Sequence, residues 1–125
     1  MLKKPSNKER VLKAYTVSVT WDEKSFNANN KRLRNAIYRA AKYSMDTMNS
    51  YYVPKKTGEL INSSKLERIN DSTVNIVWTS DYAAKKYYEK NVDMEYSRGP
   101  FWFDRMISVY SKRIEEEANK AYYSK

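Results

Sequence analysis

The chain has 125 residues, enough for one ordinary domain; two cores would leave about 60 residues each, a marginal size without staples. It contains neither cysteine nor histidine, which excludes disulfides, thiolate chemistry, Cys/His zinc sites, a Ser-His-Asp triad and histidine acid–base catalysis. The 24 Lys/Arg against 15 Asp/Glu leave a net charge of +9, and all of it lies early: residues 1–56 hold 13 basic and 4 acidic side chains, residues 57–125 hold 11 of each.

Residues 1–13 are polar and basic and are expected to form a flexible arm ahead of a single domain spanning 14–125. Tyr15, Val17, Val19 and Trp21 then alternate with Thr16, Ser18 and Thr20, the period of a half-buried strand. A long helix is expected near 28–52, with Leu33, Ile37, Ala40, Ala41, Ser44, Met48, Tyr51 and Tyr52 on one stripe. Lys31, Arg32, Arg34, Arg39 and Lys42 fall mostly off that stripe and give the helix a basic face. Val53-Pro54 ends it, because proline disfavours helical geometry in the residue before it.

Thr57 is positioned to cap a short turn through Glu59, Leu60 and Ile61. Residues 64–79 read as a β-hairpin around Asn70-Asp71. Val74, Ile76 and Trp78 alternate cleanly, whereas Leu66 and Ile69 share a face only if a bulge intervenes. A shorter helix is expected at 81–90, then a polar loop at 91–99, with Pro100 in the first turn of a last helix that runs to about Tyr122. Phe103, Ile107, Tyr110, Ile114, Ala118 and Ala121 form its seam, with Trp102, Met106 and Val109 beside it. The expected fold is therefore α+β: a small antiparallel sheet, made of the N-terminal strand plus the hairpin, packed against two long amphipathic helices and one shorter helix.

Motifs for chemistry are scarce. Glu115, Glu116 and Glu117 are consecutive, so on a helix they point about 100° apart and cannot form a carboxylate pair. Asp93 and Glu95 flank Met94 and read as solvated charge. Two glycines cannot build a phosphate loop or a dinucleotide fingerprint, and no metal or cofactor is expected. The basic helix at 31–42 offers Lys31, Arg32, Arg34, Arg39 and Lys42 as polyanion contacts, although a solvated face is the plainer reading. Twelve tyrosines supply contact area with a polar tip, which suits interfaces as well as cores. Lys3 and Lys4 lead into Pro5 and a polar run rather than an apolar signal core, and no stretch approaches a membrane span, so synthesis in a cytoplasm is expected.

One ordered set of residues is more specific. Tyr52-Val53-Pro54-Lys55-Lys56-Thr57-Gly58-Glu59-Leu60-Ile61-Asn62-Ser63-Ser64 is followed by Val77-Trp78-Thr79-Ser80-Asp81-Tyr82-Ala83, Tyr87-Tyr88 and Trp102-Phe103. The succession, over roughly residues 15–123, resembles the minor capsid, head–tail joining and tail-completion proteins of tailed bacteriophages. Two stretches depart from their pattern: the loop at 91–100, and Ala84-Lys85-Lys86 where those proteins usually carry arginine after the alanine. The resemblance implies a non-enzymatic virion protein of the neck, made in the bacterial cytoplasm and working as a homo-hexameric ring with other neck and tail proteins. It also implies passing contact with DNA in the channel and no membrane.

In this reading Tyr52, Pro54, Thr57, Gly58, Leu60 and Ser63 are a fold corner rather than a ligand site, with Gly58 supplying a backbone angle or a close approach. Trp21, Leu33, Ile37, Trp78, Trp102, Phe103 and Ile107 are core anchors. Tyr82, Tyr87 and Tyr88 divide between core and subunit contact. Glu115, Glu116 and Glu117 are candidate subunit contacts that would meet the basic half of a neighbour. The alternative function is nucleic-acid binding through the helix around 31–42.

Overall fold

A computed structural model describes residues 2–3, 14–20, 30–55, 58–89 and 96–123. The fold is α+β, as expected. In chain order it comprises β1 (Leu2–Lys3), β2 (Tyr15–Thr20), α1 (Asn30–Tyr51), α2 (Glu59–Asn62), β3 (Ser64–Asn70), β4 (Thr73–Trp78), α3 (Ala83–Tyr88) and α4 (Trp102–Tyr123). The strands form one antiparallel sheet in the order β1-β2-β4-β3.

Alternation does what periodicity predicts. Tyr15, Val17 and Val19 of β2 are buried and lie opposite Trp78, Ile76 and Val74 of β4, so the two central strands present one continuous apolar face. On the other face Ser18 Oγ donates to Asn75 Oδ1 at 2.7 Å. β3 pairs with β4 as far as Arg68, opposite Val74; the register then slips before Asn70 meets Thr73. The extra residue is Ile69, so a bulge does intervene, but it leaves Ile69 exposed rather than on the core face with Leu66. The turn itself is Asp71-Ser72, held by Asn70 Oδ1, which accepts from the Ser72 backbone N–H and hydroxyl.

α1 buries Leu33, Ala36, Ile37, Ala40, Ala41, Ser44, Thr47 and Met48. Ser44 satisfies its hydroxyl by donating to the Ala40 carbonyl. α4 packs antiparallel to α1, with Arg39 near the middle of α1 beside Glu117 and Tyr52, just past its end, beside Tyr110. Its buried line is Trp102, Phe103, Met106, Ile114, Ala118 and Tyr122. The seam is thus rotated from the expected one: Ile107 and Tyr110 are only partly buried, Val109 is exposed, and Tyr122 goes inside.

Four further expectations change. Leu2–Lys3 belong to the sheet, opposite Val19 and Ser18, so the arm is not wholly separate from the domain; residues 4–13 lie outside the described residues, as does Trp21. Pro100 precedes α4 by two residues instead of occupying its first turn. Tyr51 is exposed, because the stripe of α1 runs out as the helix ends. Tyr87 is 1% exposed and is core, not a subunit contact.

Tyr87 belongs to an aromatic cluster under the sheet. Its ring stacks on Tyr15 with centroids 3.7 Å apart, and Trp102 meets both edge-on at 4.6 and 5.6 Å. Burial pushes the hydroxyl ionisation of Tyr15 and Tyr87 well above the ordinary tyrosine value of 10.0, reinforced at Tyr15 by the neighbouring Tyr87. Tyr87 donates to Asp104 Oδ2 at 3.2 Å, whereas the Tyr15 hydroxyl and the Trp102 indole N–H have no hydrogen-bond partner among the described residues.

The raised values fix a sign. Above pH 10 the unfolded chain ionises these tyrosines while the folded chain holds them neutral, so stability is intact below pH 10 and falls as pH rises beyond it. The expected loss is roughly 1.4 kcal/mol per pH unit per tyrosine. Tyr15→Phe should flatten that decline without lowering the melting temperature at pH 7, since it removes an unpaired buried hydroxyl. A pH series of thermal melts on both chains checks this; a marked loss of stability at pH 7 would contradict it.

Candidate functional site

The residues of the ordered motif gather where α1 ends. α1 has no basic residue in its last turn, and the next glycine, Gly58, is seven residues beyond Tyr51. Its terminal carbonyls therefore need donors from elsewhere. The Met48 carbonyl accepts from both the Tyr52 and Val53 backbone N–H groups at 2.8 Å, which tightens the last turn and buries Val53.

The rest come from the segment before α4. Arg98 Nη1 donates to the Asn49 carbonyl at 2.9 Å and to the Val53 carbonyl at 2.8 Å, and its Nη2 donates to the Ser50 carbonyl. The Ser97 hydroxyl donates to the Tyr51 carbonyl. The Gly99 backbone N–H donates to the Tyr52 carbonyl at 3.0 Å.

Arg105, from the first turn of α4, ties this segment to itself. It reaches the carbonyls of Pro100, Ser97, Gly99 and Tyr52 and lies over the Tyr52 ring at 5.3 Å. Burial lowers the guanidinium's ionisation value, and burial raises that of Tyr52, with Tyr110 adding to the rise. Two cations therefore sit against the negative end of the α1 dipole, supplied through space rather than by α1 itself.

The backbone is left-handed at Tyr96 (φ 58°) and Phe101 (φ 54°), a conformation that costs a bulky residue about 1 kcal/mol or more. Phe101 is held there by its N–H donating to the Tyr87 carbonyl at 2.9 Å and by its ring against Tyr87 and Tyr88. Tyr96 is 94% exposed, and Tyr51, whose carbonyl Ser97 caps, is exposed as well. The corner thus combines a densely hydrogen-bonded backbone with two exposed tyrosines, a composition found at protein interfaces.

The remaining motif residues complete this corner. Pro54 follows the buried Val53. Gly58 has φ +75°, and a Cβ there would meet Asn62 Nδ2 at an ordinary 3.8 Å, so the position demands glycine for its angle and not for space. Gly58 is itself the N-cap of α2, with no side-chain cap; Thr57 lies outside the described residues. Leu60 is buried. Ser63 donates to the Leu60 carbonyl, and its own carbonyl accepts from the Thr79 N–H and hydroxyl. The Trp78 indole N–H donates to Asn49, Asn49 donates to Ser64, and Ser64 donates to the Ile61 carbonyl, so one polar chain joins β4, α1, β3 and α2.

The other candidate residues divide. Leu33, Ile37, Trp78, Trp102 and Phe103 are buried core, while Tyr82 and Tyr88 are partly buried against it. Arg34 pairs with Asp71, Lys42 with Asp46 at 3.1 Å, and Arg39 with Glu117 through two nitrogens at 3.0 and 3.1 Å. Glu117 is therefore engaged within its own chain and also lies 3.8 Å from Lys120; Glu115 and Glu116 are exposed. Lys31 is exposed and Arg32 half-buried. Arg68 donates to the Arg34 carbonyl, and its ionisation value is lowered by burial and by the Arg34 charge. Among the described residues no group of three carboxylates comes together to hold a metal, and no helix is long and apolar enough to cross a membrane. No family model, curated protein or solved structure matches this chain.

Arg98→Ala should cost about 2–3 kcal/mol in urea unfolding, since three helix-end carbonyls lose a charged donor. Arg98→Lys should recover less than half, because an ammonium lacks the planar fork. Gly58→Ala should cost about 1 kcal/mol through its angle alone. A change below about 0.5 kcal/mol for Arg98→Ala would contradict the capping role.

Proposed function

We propose that this chain is a structural component of a tailed-phage neck, joining the DNA-filled head to the tail as one subunit of a homo-hexameric ring. The observation that carries the reading is the ordered succession of Tyr52–Ser64, Val77–Ala83, Tyr87-Tyr88 and Trp102-Phe103, together with the use this fold makes of it. Those residues supply carbonyls at the end of α1 and the aromatic core behind it, while the donors that close the corner come from Ser97, Arg98, Gly99 and Arg105, in and after the stretch that departs from the family's pattern. Their physical demands are for burial, capping and one left-handed glycine. A closed ring needs two different complementary faces on each subunit. The exposed Tyr51 and Tyr96 and the exposed Glu115 and Glu116 on α4 offer surfaces of contrasting character.

Nucleic-acid binding through 31–42 gains less support. Arg34, Arg39 and Lys42 already face carboxylates of the same chain. Exposed pairs of this kind hold weakly, with roughly 0–1 kcal/mol each, so polyanion affinity is the quantity that separates the two readings.

Light scattering over a range of protein concentrations should reach six copies of a 14.9 kDa chain, about 89 kDa. Anisotropy titration with random duplex DNA at about 0.15 M salt should show no appreciable binding. A monomer that binds DNA tightly, with affinity falling steeply as salt rises, would overturn the neck reading in favour of the basic helix. Reversing Glu115 and Glu116 together to Lys should reduce ring formation at low salt; unchanged assembly would remove α4 from the interface.

A further inference from the structure

β3 forms one border of the sheet, and among the described residues no strand pairs with its outer side. The phase of its ladder follows from the Thr79 backbone N–H, which donates to the Ser63 carbonyl at 3.1 Å and makes these two a hydrogen-bonded pair. Alternation then turns the N–H and C=O groups of Lys65 and Glu67 towards β4, and those of Ser64, Leu66 and Arg68 towards the open edge. The register slips after Arg68, so the regular edge is Ser64–Arg68, with Leu66 at its midpoint. Leu66 lies opposite Ile76 on the core side and is only half-buried. Lys65 and Glu67 point to the other side of the sheet, where Glu67 lies opposite Asn75. An edge of this kind is open to another strand, and its charges decide which strand it accepts.

We propose that β3 pairs antiparallel with β3 of a second copy of this chain, about a two-fold axis through Leu66. Residues with outward groups must oppose one another, so the axis passes through a residue and not between two. Through Lys65, Glu67 or Arg68 it would set a charge against its own copy, and through Ser64 it would run off the strand into α2. Through Leu66 it sets Lys65 opposite the second copy's Glu67, Ser64 opposite its Arg68, and Leu66 opposite Leu66. The Leu66 pair and both Ser64–Arg68 pairs then exchange N–H···O=C bonds, which uses every outward group of the regular edge. Lys65 and Glu67 of one chain already lie 3.0 Å apart, and pairing gives each a second neighbour of opposite sign. The half-buried Leu66 gains apolar cover from its own copy. The charges that exclude the other registers thus admit this one. The pairing does not rest on the ring reading: it closes on two chains and involves neither the corner nor Glu115 and Glu116.

The chain has no cysteine of its own, so two single variants test the register. Lys65→Cys and Glu67→Cys are mixed, oxidised and run on a denaturing gel without reductant. Pairing through Leu66 brings the two different thiols to directly opposed positions, with Cα atoms about 4.5 Å apart, within the range a disulfide spans. Like thiols are diagonal, about 7–8 Å apart, and beyond it. The mixture should therefore give a linked two-chain band, shown by mass spectrometry to be joined from 65 to 67, while each variant alone stays at the single-chain band. No linked band in the mixture overturns the pairing, and so do equal linked bands from the mixture and from either variant alone. Charge reversal gives a second reading. In a light-scattering concentration series Lys65→Glu should weaken the two-chain association, about 30 kDa, by about tenfold, and Lys65→Glu/Glu67→Lys should restore it. A double reversal that leaves the association as weak as the single one overturns the pairing. A six-copy ring with no linked pair in the mixture overturns it too and leaves the ring standing.

Discussion

The end of α1 is the constraint on which the rest of the molecule turns. A 22-residue helix that stops without a glycine or a cation of its own leaves a row of carbonyls at its negative pole. Arg98, Ser97 and Gly99 supply the missing donors, and Arg105 locks their segment onto α4. The same residues thereby set where α4 starts, and Trp102 and Phe103 enter the core from that start. The left-handed Phe101 is affordable because the Tyr87 carbonyl and the Tyr87 and Tyr88 rings hold it from the other side.

Elements built on repetition were legible from the residues. Val17 and Val19 against Val74 and Ile76 announce two half-buried strands, and the Leu33–Met48 stripe announces α1, because burial on one face imposes a period. The parity of Leu66 and Ile69 left a bulge as one way to bring both onto one face; the register does slip there, yet Ile69 stays exposed. Tyr87 was ambiguous because a tyrosine satisfies both a core and an interface, and only its stack on Tyr15 decides between them. On α4, Ile107 is only partly buried against the core and Tyr122 is buried, because both lie within reach of the apolar stripe.

The capping arginines were invisible for a different reason. Arg98 sits in a polar stretch with no periodicity, and its partners are carbonyls, which carry no residue identity. A signal did exist: a long helix ending without a cap of its own implies a donor from elsewhere. The same blindness affected the charges. Arg39 and Glu117 are far apart in the chain, so they read as opposite faces awaiting a neighbour, whereas the antiparallel packing of α1 and α4 brings them together. The outward side chains are mixed: Tyr51 and Tyr96 at the corner, Glu115 and Glu116 on α4, and the exposed Lys112, Arg113 and Lys120 beside those glutamates. That suits a subunit whose work is done by surface contact.

The most direct test of the corner is hydrogen–deuterium exchange on the parent chain and Arg98→Ala under conditions where both are folded. The parent should protect the Tyr52, Val53, Gly99 and Phe101 amides nearly as well as the Val17 and Ile76 amides of the sheet. In Arg98→Ala the first group should lose protection selectively while the sheet amides keep theirs. Equal protection of the corner in both chains would contradict the account, because α1 would then end stably without the clasp.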